Sequence, residues 1–238
     1  MRLDQALVAQ GLAPSRARAA QLIAAGVVLV DGTVRAKASH KIADQALALS
    51  EDPIPWVSRA ALKLEYALDR FGLTPFGDCL DLGASTGGFT QVMRACGAAR
   101  VFALDVGHDQ LHQDVEADTG VVRMDGVNAK DITPDLLPPL DWIVTDVSFI
   151  SLEKALPNAL ELAKSQARLI ALVKPQFEVG RAAVGKGGIV KDEVAREAVL
   201  PRIAAFLDAS GWTVTHQDIS PITGSDGNIE HLIAAVKR

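Results

Sequence analysis

The amino-acid sequence predicts an α/β protein in which a small α/β module precedes a larger domain built on a parallel sheet. After residue 57, short apolar strands alternate with helices, as in a parallel sheet that helices cover on both faces. The first 50 residues carry six Lys or Arg against three acids, a net charge of +3, whereas the whole chain is at −5. Pro53 and Pro55 disfavour a helix between the two parts. We therefore expect a domain over residues 1–50, a linker over 51–57 and a second domain over 58–238.

The composition limits the class of protein. Of the 238 residues, 49% are hydrophobic and 22% are charged, which excludes collagen-like, coiled-coil and mostly disordered chains. Cys79 and Cys96 are too few for a disulfide framework or a four-thiolate zinc site. The first residues are polar, unlike a signal peptide, and the longest nearly unbroken apolar run, Leu22 to Val30, falls short of the about 20 residues of a spanning helix. We expect a protein of the reducing cytoplasm with no stable membrane association.

In the first module, the sequence predicts two helices and then a hairpin. An apolar face over Leu3–Val8 indicates the first helix. Ser15 is suited to cap a second helix that runs through Ala25 and ends at Gly26. The hairpin consists of the strand Val27–Val30, the turn Asp31-Gly32 and the strand Thr33–Arg35.

Two arginines fall in the first turn of the second helix. Arg16 and Arg18 oppose the helix dipole there, a placement that is easier to understand if they bind an anion such as phosphate. A solvated basic face is an equally good explanation.

The first module resembles the small RNA-binding domain first described in ribosomal protein S-four. The matching residues are Arg2-Leu3-Asp4, Gly11-Leu12, Ser15-Arg16, Ile23 and Gly26–Gly32. The resemblance implies contact with structured RNA, which is read largely by shape and phosphates. The RNA-binding candidates, one of them in the second domain, are Arg2, Ser15, Arg16, Arg18, Lys37, Lys41 and Arg59.

The second domain begins with a predicted helix, followed by strands and further helices. The predicted strands are Cys79–Leu82, Arg100–Asp105, Val121–Met124, Trp142–Thr145, Leu169–Val173, Thr213–Thr215 and His231–Val236, the last two at the end of the chain. The predicted helices are Val57–Phe71, Phe89–Cys96, Leu152–Lys164 and Glu193–Ala209. Ligands of such sheets bind beyond the carboxyl ends of the strands, so we expect the chemistry there.

The loop after the first strand of this domain indicates a cofactor site. Glycines between Gly83 and Gly88 allow backbone N–H groups to approach a ligand at a helix N-terminus. Asp105 ends the next strand, where an acid accepts hydrogen bonds from a ribose diol, and Asp125 follows the third strand, where it would hold an adenine amino group. The spacing differs from Gly-x-Gly-x-x-Gly, so S-adenosylmethionine, which is cationic and lacks phosphates, fits better than a dinucleotide. A tight turn with no ligand is the alternative interpretation.

The cofactor-binding candidates are therefore Asp81, Gly83, Ala84, Ser85, Thr86, Gly87, Gly88, Phe89, Asp105, Asp125 and Asp146.

Four further ionisable residues stand at or near predicted strand ends: Lys63, Asp146, Lys174 and Glu230. Singly, each has an ordinary explanation, as a solvated lysine, a helix cap or a charge at the start of a strand. Together, two lysines and two acids would neutralise one another in one cleft.

Five segments of the chain are similar to the TlyA family, whose members are known both as hemolysins and as ribosomal RNA methyltransferases. The segments are Ser58–Leu64, Asp81–Thr90, Thr145–Leu152, Val173–Glu178 and Gly227–Glu230. The catalytic half of that family resembles the FtsJ-type 2′-O-methyltransferases, which use a Lys-Asp-Lys-Glu tetrad in this chain order. One departure is Val147-Ser148-Phe149, since FtsJ enzymes usually have Ala-Pro after the motif aspartate. It affects the expected contact with the target nucleotide more than the expected reaction.

The resemblance implies a Rossmann-like methyltransferase sheet, with Lys63, Asp146, Lys174 and Glu230 as the catalytic residues. The implied reaction is methyl transfer from S-adenosylmethionine to the 2′-hydroxyl of a cytidine in ribosomal RNA or a ribosomal subunit. We hypothesise that Lys174 is the general base or stabilises the developing alkoxide. Asp146 would then orient Lys174, and Glu230 would fix Lys63 or the ribose.

Three other functions are open at this point. The hemolysin name suggests a membrane-lytic protein, although no spanning segment supports one. A non-catalytic RNA-binding assembly factor would keep the same fold. An NAD-dependent oxidoreductase is less well supported because the glycine spacing is wrong for a pyrophosphate.

Smaller features allow ordinary and functional explanations. His108, His112 and Asp114 lie in an acid-rich stretch, but a solvated face explains them better than a metal site, and we expect no metal. Phe149 and Phe177 are suited to stack a flipped base, yet aromatic residues more often belong to a core. The glycine-rich segment Phe177–Val190 follows Lys174 and is a candidate lid.

Overall fold

A computed structural model gives the structure of residues 1–24, 26–35, 37–50, 55–180, 183–185, 187–224 and 227–238. The chain divides into two compact units, Met1–Pro55 and Trp56–Arg238. Most of the predicted linker, residues 51–54, lies outside the described residues, as does Ala25, the predicted last residue of the second helix.

The first unit contains two helices and a small antiparallel sheet. Its elements are α1 (Leu3–Ala9), α2 (Arg16–Ala24), β1 (Val28–Val30), β2 (Thr33–Val34) and β3 (Leu47–Leu49). The strand order is β2-β1-β3. The Ser15 hydroxyl accepts a hydrogen bond from the Arg18 N–H at 3.2 Å, which confirms the predicted helix cap. Asp31 and Gly32 have φ of 48° and 74°, as the predicted tight hairpin turn requires.

The strand β3 was not predicted. Its residues alternate between half-buried and exposed, and it pairs with β1 on the side opposite β2. The core of this unit lies between the two helices and the sheet, where Leu3, Leu7, Ile23 and Val28 are almost completely buried.

The second unit is a three-layered α/β domain. Its strands are β4 (Asp78–Leu82), β5 (Arg100–Asp105), β6 (Val121–Asp125), β7 (Leu140–Thr145), β8 (Ala163–Val173), β9 (Trp212–Ile219) and β10 (His231–Lys237). Its helices are α3 (Ala60–Phe71), α4 (Gly88–Ala95), α5 (Gln113–Glu116), α6 (Leu152–Ala155), α7 (Pro157–Leu162), α8 (Pro175–Glu178) and α9 (Glu193–Ala209), with a 3-10 turn at Ala129–Asp131.

The seven strands form one sheet in the order β6-β5-β4-β7-β8-β10-β9. The pairs from β6 to β8 are parallel, but β10 is antiparallel to both of its neighbours. The expectation of a wholly parallel sheet is therefore wrong for this one strand. The connection from β9 to β10 spans residues 220–230, and its described part contains no helix; antiparallel strands can be joined without a helical crossover.

One predicted helix is also wrong. The segment Leu152–Lys164 forms two short helices, α6 and α7, and then enters β8 at Ala163. Pro157 starts α7 because proline has no N–H to continue the preceding helix. Lys164 lies in the strand, where its ammonium pairs with Asp141 at 2.8 Å. The helix α3 begins at Ala60 rather than Val57, whereas Glu193–Ala209 is confirmed as α9.

Both faces of the sheet are covered by helices. Alternate strand residues enter two separate cores: Leu80 and Ile143 pack on the side of α6, α7 and α9, and Cys79 and Val144 on the side of α3 and α4. Within the described residues, no helix combines the length and apolarity needed to cross a bilayer.

Candidate active site

The catalytic candidates meet at one edge of the large sheet. Parallel strands β4, β5, β7 and β8 all end at this edge, and Asp146 and Lys174 directly follow the last two. Because β10 runs in the opposite direction, its first residues lie at the same edge. Glu230, which immediately precedes β10, therefore joins residues that follow other strands.

Two buried ion pairs form from the four candidates. The Lys63 Nζ lies 2.6 Å from the Glu230 Oε2, and these residues are 8% and 2% exposed. The Lys174 Nζ lies 2.6 Å from the Asp146 Oδ1, with Lys174 9% exposed. Buried charges are tolerated when they are paired, and here each lysine has one carboxylate partner.

Each lysine has a defined position. Lys63 lies on the buried face of α3 together with Leu64 and Ala67. Lys174 immediately precedes α8, and its ammonium also donates to the Ser148 hydroxyl at 2.9 Å and the Asp146 carbonyl at 3.3 Å. Ser148 is a contact that the sequence did not indicate. It occupies the position at which the sequence departs from the FtsJ pattern.

The turn before β10 is held by Asn228. Its buried amide accepts from the Val190 N–H at 3.0 Å and donates to the Gly188 carbonyl at 2.9 Å. A side chain at Gly224 would come within 2.6 Å of the Glu230 Oε1, so glycine is needed beside that carboxylate. Asn228 thus joins the turn that carries Glu230 to the end of the predicted lid. Residues 181, 182 and 186 of that lid lie outside the described part of the chain.

A cleft of about 510 Å³ opens beyond β4, β5 and β7. Its lining includes Gly83 and Ser85 of the glycine loop, Asp105 and Asp146. The Asp105 carboxylate accepts from the Ser85 and Gly107 N–H groups, each at 2.8 Å, which fixes it at the mouth of the loop. The remaining lining is largely apolar and holds no Lys or Arg among the described residues.

A smaller cavity of about 210 Å³ lies next to Lys174. Ala84, Thr86, Gly88 and Phe89 of the glycine loop line it together with Lys174, Asp146 and Ser148. The two cavities share Gly83, Ser85, Asp146 and Ser148. The donor set fits S-adenosylmethionine, since apolar walls suit its adenine, and the Asp105 and Asp146 carboxylates suit its hydroxyl, amino and sulfonium groups.

Three of the cofactor candidates do not line either cavity. Asp81 is fully buried beneath the loop, where it accepts from the Thr90 hydroxyl at 2.6 Å, and burial raises the pKa of Asp81 to about 7. Gly87 packs against Leu111 and Val115, and its φ of 90° marks it as the turn residue before α4.

Asp125 is held by other partners. It forms an ion pair with Arg123 and accepts from the Asp109 N–H at 2.7 Å, and the hydrogen bond from Arg123 lowers the pKa of Asp125. The polar residues that line the cleft near β6 and β5 are instead Asn128 and Gln110. The sequence analysis did not include Asn128 among the cofactor-binding candidates because it stands three residues beyond the end of β6. An amide side chain shortly after the third strand could have indicated it.

Two of the basic RNA-binding candidates in the first unit, Arg2 and Arg16, form ion pairs. Asp4 is buried and pairs with Arg2 at 2.8 Å and Arg16 at 2.9 Å, and these hydrogen bonds lower the pKa of Asp4 to about 2. Both guanidiniums stay largely exposed on their outer side. Lys41 forms an isolated backbone bridge with Arg2. Ser15, Lys37 and Lys41 are exposed, Arg18 is half-buried, and in the second unit Arg59 is exposed.

The two aromatic candidates do not belong to a core. Phe149 is 90% exposed and has a φ of 68°, a left-handed conformation that is uncommon for a bulky residue. Its ring lies 5.1 Å from that of Phe177, and the Lys174 ammonium lies 5.9 Å from the Phe177 ring. An exposed aromatic ring in a strained conformation, packed on a second ring that lies close to Lys174, is suited to contact a ligand.

The acid-rich stretch after β5 forms no metal site in the part of the chain that the structure describes, where no three His, Cys, Asp or Glu converge. The His112 ring accepts a hydrogen bond from the Asp114 N–H at 3.2 Å and caps α5.

The chain matches two family models, the FtsJ-like methyltransferase over residues 56–237 and the S4 domain over residues 1–45. It is 41% identical to Hemolysin A of Brachyspira hyodysenteriae over 98% of both chains. It is also 41% identical to the 16S/23S rRNA (cytidine-2′-O)-methyltransferase TlyA of Mycobacterium tuberculosis, over 98% of this chain and 88% of the relative.

Solved structures agree with these matches. A protein of Streptococcus thermophilus named as a hemolysin superposes on all of this chain and 88% of its own, with a TM-score of 0.79 and 39% identity. An O-methyltransferase of Bacillus cereus, at 18% identity and a TM-score of 0.52, shares the fold of the second unit over 78% of this chain. With a Lys-Asp-Lys-Glu set paired at the sheet edge and full-length relatives of this similarity, the chain belongs to the TlyA family of FtsJ-like methyltransferases.

Proposed function

We propose that this protein is an S-adenosylmethionine-dependent 2′-O-methyltransferase that modifies cytidine in ribosomal RNA. The observation that carries the proposal is the pairing of Lys63 with Glu230 and of Lys174 with Asp146 at the edge of the sheet, beside a cleft that suits a cationic cofactor. TlyA relatives with near full-length similarity carry the name rRNA (cytidine-2′-O)-methyltransferase.

The cofactor is S-adenosylmethionine, which supplies a methyl group on a positively charged sulfur. Asp105 and Asn128 line the larger cleft, where Asp105 would accept hydrogen bonds from its ribose and Asn128 would contact its adenine. The apolar lining of the larger cleft would surround the adenine. Asp146 and Lys174 line the smaller cavity, which supports the proposal that the methyl group and the ribose hydroxyl meet beside them, and orientation of this kind supplies much of the catalysis.

Lys174 acts on the 2′-hydroxyl. Its ammonium is held by Asp146 and Ser148, so the nitrogen has a fixed direction. It stabilises the negative charge that develops on the 2′-oxygen, or accepts the proton in a neutral form. Glu230 fixes the side chain of Lys63, and this second pair lies across the same edge.

Phe149 provides a surface for the target base. Its ring is exposed beside Lys174, and RNA-modifying enzymes commonly hold an unstacked base on an aromatic side chain. The target nucleotide would place its base on Phe149 and its ribose at Lys174.

The first unit would bring the enzyme to its substrate. S4-type contacts from Arg2, Ser15, Arg16, Arg18, Lys37 and Lys41 would bind RNA phosphates, with Arg59 contributing from the second domain. The substrate is then ribosomal RNA, free or within a subunit, and the protein acts in the cytoplasm where ribosomes are assembled. Residues 1–50 serve RNA binding, 51–57 link the domains, and 58–238 carry the methyltransferase.

The proposal predicts that Lys174→Ala abolishes methylation. Ribosomal RNA from cells with the gene, without the gene and with the variant would be mapped for 2′-O-methyl groups by mass spectrometry. The expected result is at least one cytidine that is methylated only when the unaltered protein is present. Asp135→Ala, at an exposed aspartate away from both cavities, is the control that should restore methylation. Full methylation with Lys174→Ala would contradict the assignment.

Two other functions are tested in parallel. Calorimetry should show that the pure protein binds S-adenosylmethionine, whereas no binding would favour a non-catalytic assembly factor. The hemolysin name of relatives predicts leakage of liposomes by pure protein, and leakage unaffected by Asp146→Ala would establish a separate lytic activity.

A further inference from the structure

We infer that Gln176 is the residue with which this enzyme distinguishes cytidine from uridine at its target. The inference rests on the proposed function, since it concerns the base of the nucleotide whose ribose is methylated. It adds a specificity-determining residue to a site whose other members bind the cofactor or act on the ribose.

Gln176 lies on α8, two residues after the catalytic Lys174. It lines a groove of about 650 Å³, together with Phe149, Phe177 and the exposed Lys154. Phe149 also lines the cofactor cleft, so the groove and the cleft meet at this ring. A base resting on Phe149, with its ribose at Lys174, therefore has Gln176 within the wall beside it.

The Gln176 side chain contains a buried acceptor with no partner. Its Oε1 is inaccessible to solvent and receives no hydrogen bond from any residue that the structure describes. Glu178, the other polar residue of α8, in contrast has partners for its carboxylate. It accepts a hydrogen bond from the Leu152 N–H at 2.8 Å and pairs with Arg202 at 3.1 Å. An unpaired buried acceptor is unfavourable, so its retention calls for an explanation, and here the adjoining groove offers one in a ligand donor.

The chemistry of the unpaired atom selects one pyrimidine. Cytosine carries an amino donor at C4, whereas uracil carries a carbonyl acceptor at the same position. A glutamine acceptor gains a hydrogen bond from cytosine but faces an acceptor in uracil. The terminal torsion of glutamine is soft, and turning the amide towards the groove breaks no existing bond of Oε1. Sites built to pair with one polar group reject analogues that lack it.

The test compares cytidine and uridine at one position. The methylated cytidine is first mapped, and ribosomal subunits are then prepared with cytidine or with uridine there, from cells that lack the gene. Methyl transfer to both is measured with the full-length protein, with Gln176→Leu, which removes the acceptor, and with Gln176→Glu, which keeps one. Gln217→Leu, at an exposed glutamine on the edge strand β9, is the matched control.

We expect the unaltered protein and Gln217→Leu to prefer cytidine by roughly tenfold or more, the range that one unpaired buried group produces. Gln176→Leu should lose this preference, chiefly by losing rate on cytidine, and Gln176→Glu should keep it. An equal loss with both bases in Gln176→Leu, or an unchanged preference, would overturn the inference. So would an unaltered protein that methylates both equally, which leaves the proposed function standing. Absence of any methylation by the unaltered protein would overturn the proposed function itself.

Discussion

Asp81 illustrates how a single residue differs from its expected role. Its type and its place in the predicted strand suggested a cofactor ligand, but its carboxyl is fully buried at the base of the glycine loop. Burial, with smaller contributions from the Asp146 and Asp105 charges, raises the pKa of Asp81 to about 7 against the opposing effect of the Thr90 hydrogen bond. Periodicity identifies a buried strand, but it does not show which side chain near the strand end points beneath the loop rather than into the cleft.

The raised pKa predicts that ionised Asp81 lowers the free energy of unfolding, and that the loss depends on pH. A carboxyl that binds its proton more tightly in the folded state contributes stability below about pH 4 and loses it as the pH rises towards 7. Asp81→Asn keeps the acceptor for Thr90 but cannot ionise. Its free energy of unfolding should therefore rise relative to the unaltered protein between pH 5 and pH 8, by at most about 4 kcal/mol.

Urea unfolding followed by circular dichroism at several pH values measures this difference. Asp135→Asn, at an exposed aspartate, should follow the profile of the unaltered protein. Parallel profiles for Asp81→Asn and the unaltered protein would show that the Asp81 carboxyl does not titrate differently on folding.

At the scale of elements, three helices are joined behind the catalytic edge. Glu178 at the end of α8 is almost completely buried, accepts from the Leu152 N–H at the start of α6, and pairs with Arg202 of α9. Arg202 also donates to the Glu178 carbonyl at 2.9 Å and pairs with Glu153. The loop with Asp146 and Phe149 leads into α6, and Lys174 leads into α8. The network therefore ties together the two segments that carry the Lys174–Asp146 pair.

Arg202→Met tests this network. It leaves the Glu178 carboxylate buried without its cation, which should lower the free energy of unfolding by about 2 kcal/mol, less than for a fully buried pair because Arg202 is partly exposed. Methyl transfer should fall more than cofactor affinity, since most residues that line the cofactor cleft belong to β4, β5 and the segments after β4, β5 and β6, whereas the Lys174–Asp146 pair lies on the two segments that the network joins. Adding Glu178→Gln should recover part of the stability. Additive losses in the double variant would mean that the two residues act independently.

The elements also show how much of the secondary structure the sequence predicts. The sequence predicted every strand of the large sheet and the helix α9, and the inner strands β4, β5, β7 and β10 were the clearest because they are buried on both faces. The reversed direction of β10 could not be predicted, since an apolar run has the same composition in either direction. Pro157 indicates the break between α6 and α7, but the helical pattern of the apolar residues around it led to the prediction of a single helix. In the first unit, β3 is too short and too exposed to show in periodicity.

Across the whole molecule, charge follows the division into units. The net +3 of the first 50 residues contrasts with −8 on the remainder, which includes the acids of the cofactor cleft. The four candidate residues could be selected from the sequence because their order along the chain matches the family motif. For Glu230 the resemblance left two partners open, Lys63 or the ribose, because Lys63 and Glu230 are 167 residues apart and only the sheet topology brings them together.

Removing residues 1–55 should separate cofactor binding from RNA binding. Every residue that lines the two cofactor cavities belongs to the second unit, so the fragment 56–238 should bind S-adenosylmethionine with unchanged affinity. Its affinity for ribosomal subunits should fall, and the salt dependence of binding should weaken by roughly one unit of slope for each RNA phosphate that the first unit neutralises. Calorimetry and filter binding at several salt concentrations measure the two quantities. Equal salt slopes for the fragment and the full chain would exclude the first unit as a binder of phosphates.

The place of β10 in the sheet has a consequence for the synthesis of the protein. This strand inserts between β8 and β9, and together with Glu230 it comes from residues 230–238, which follow every other strand of the sheet in the sequence. Until residues 230–238 have been translated, the sheet lacks an inner strand and Lys63 lacks its carboxylate. A partly synthesised chain that already contains the cofactor cleft therefore has an incomplete set of site residues.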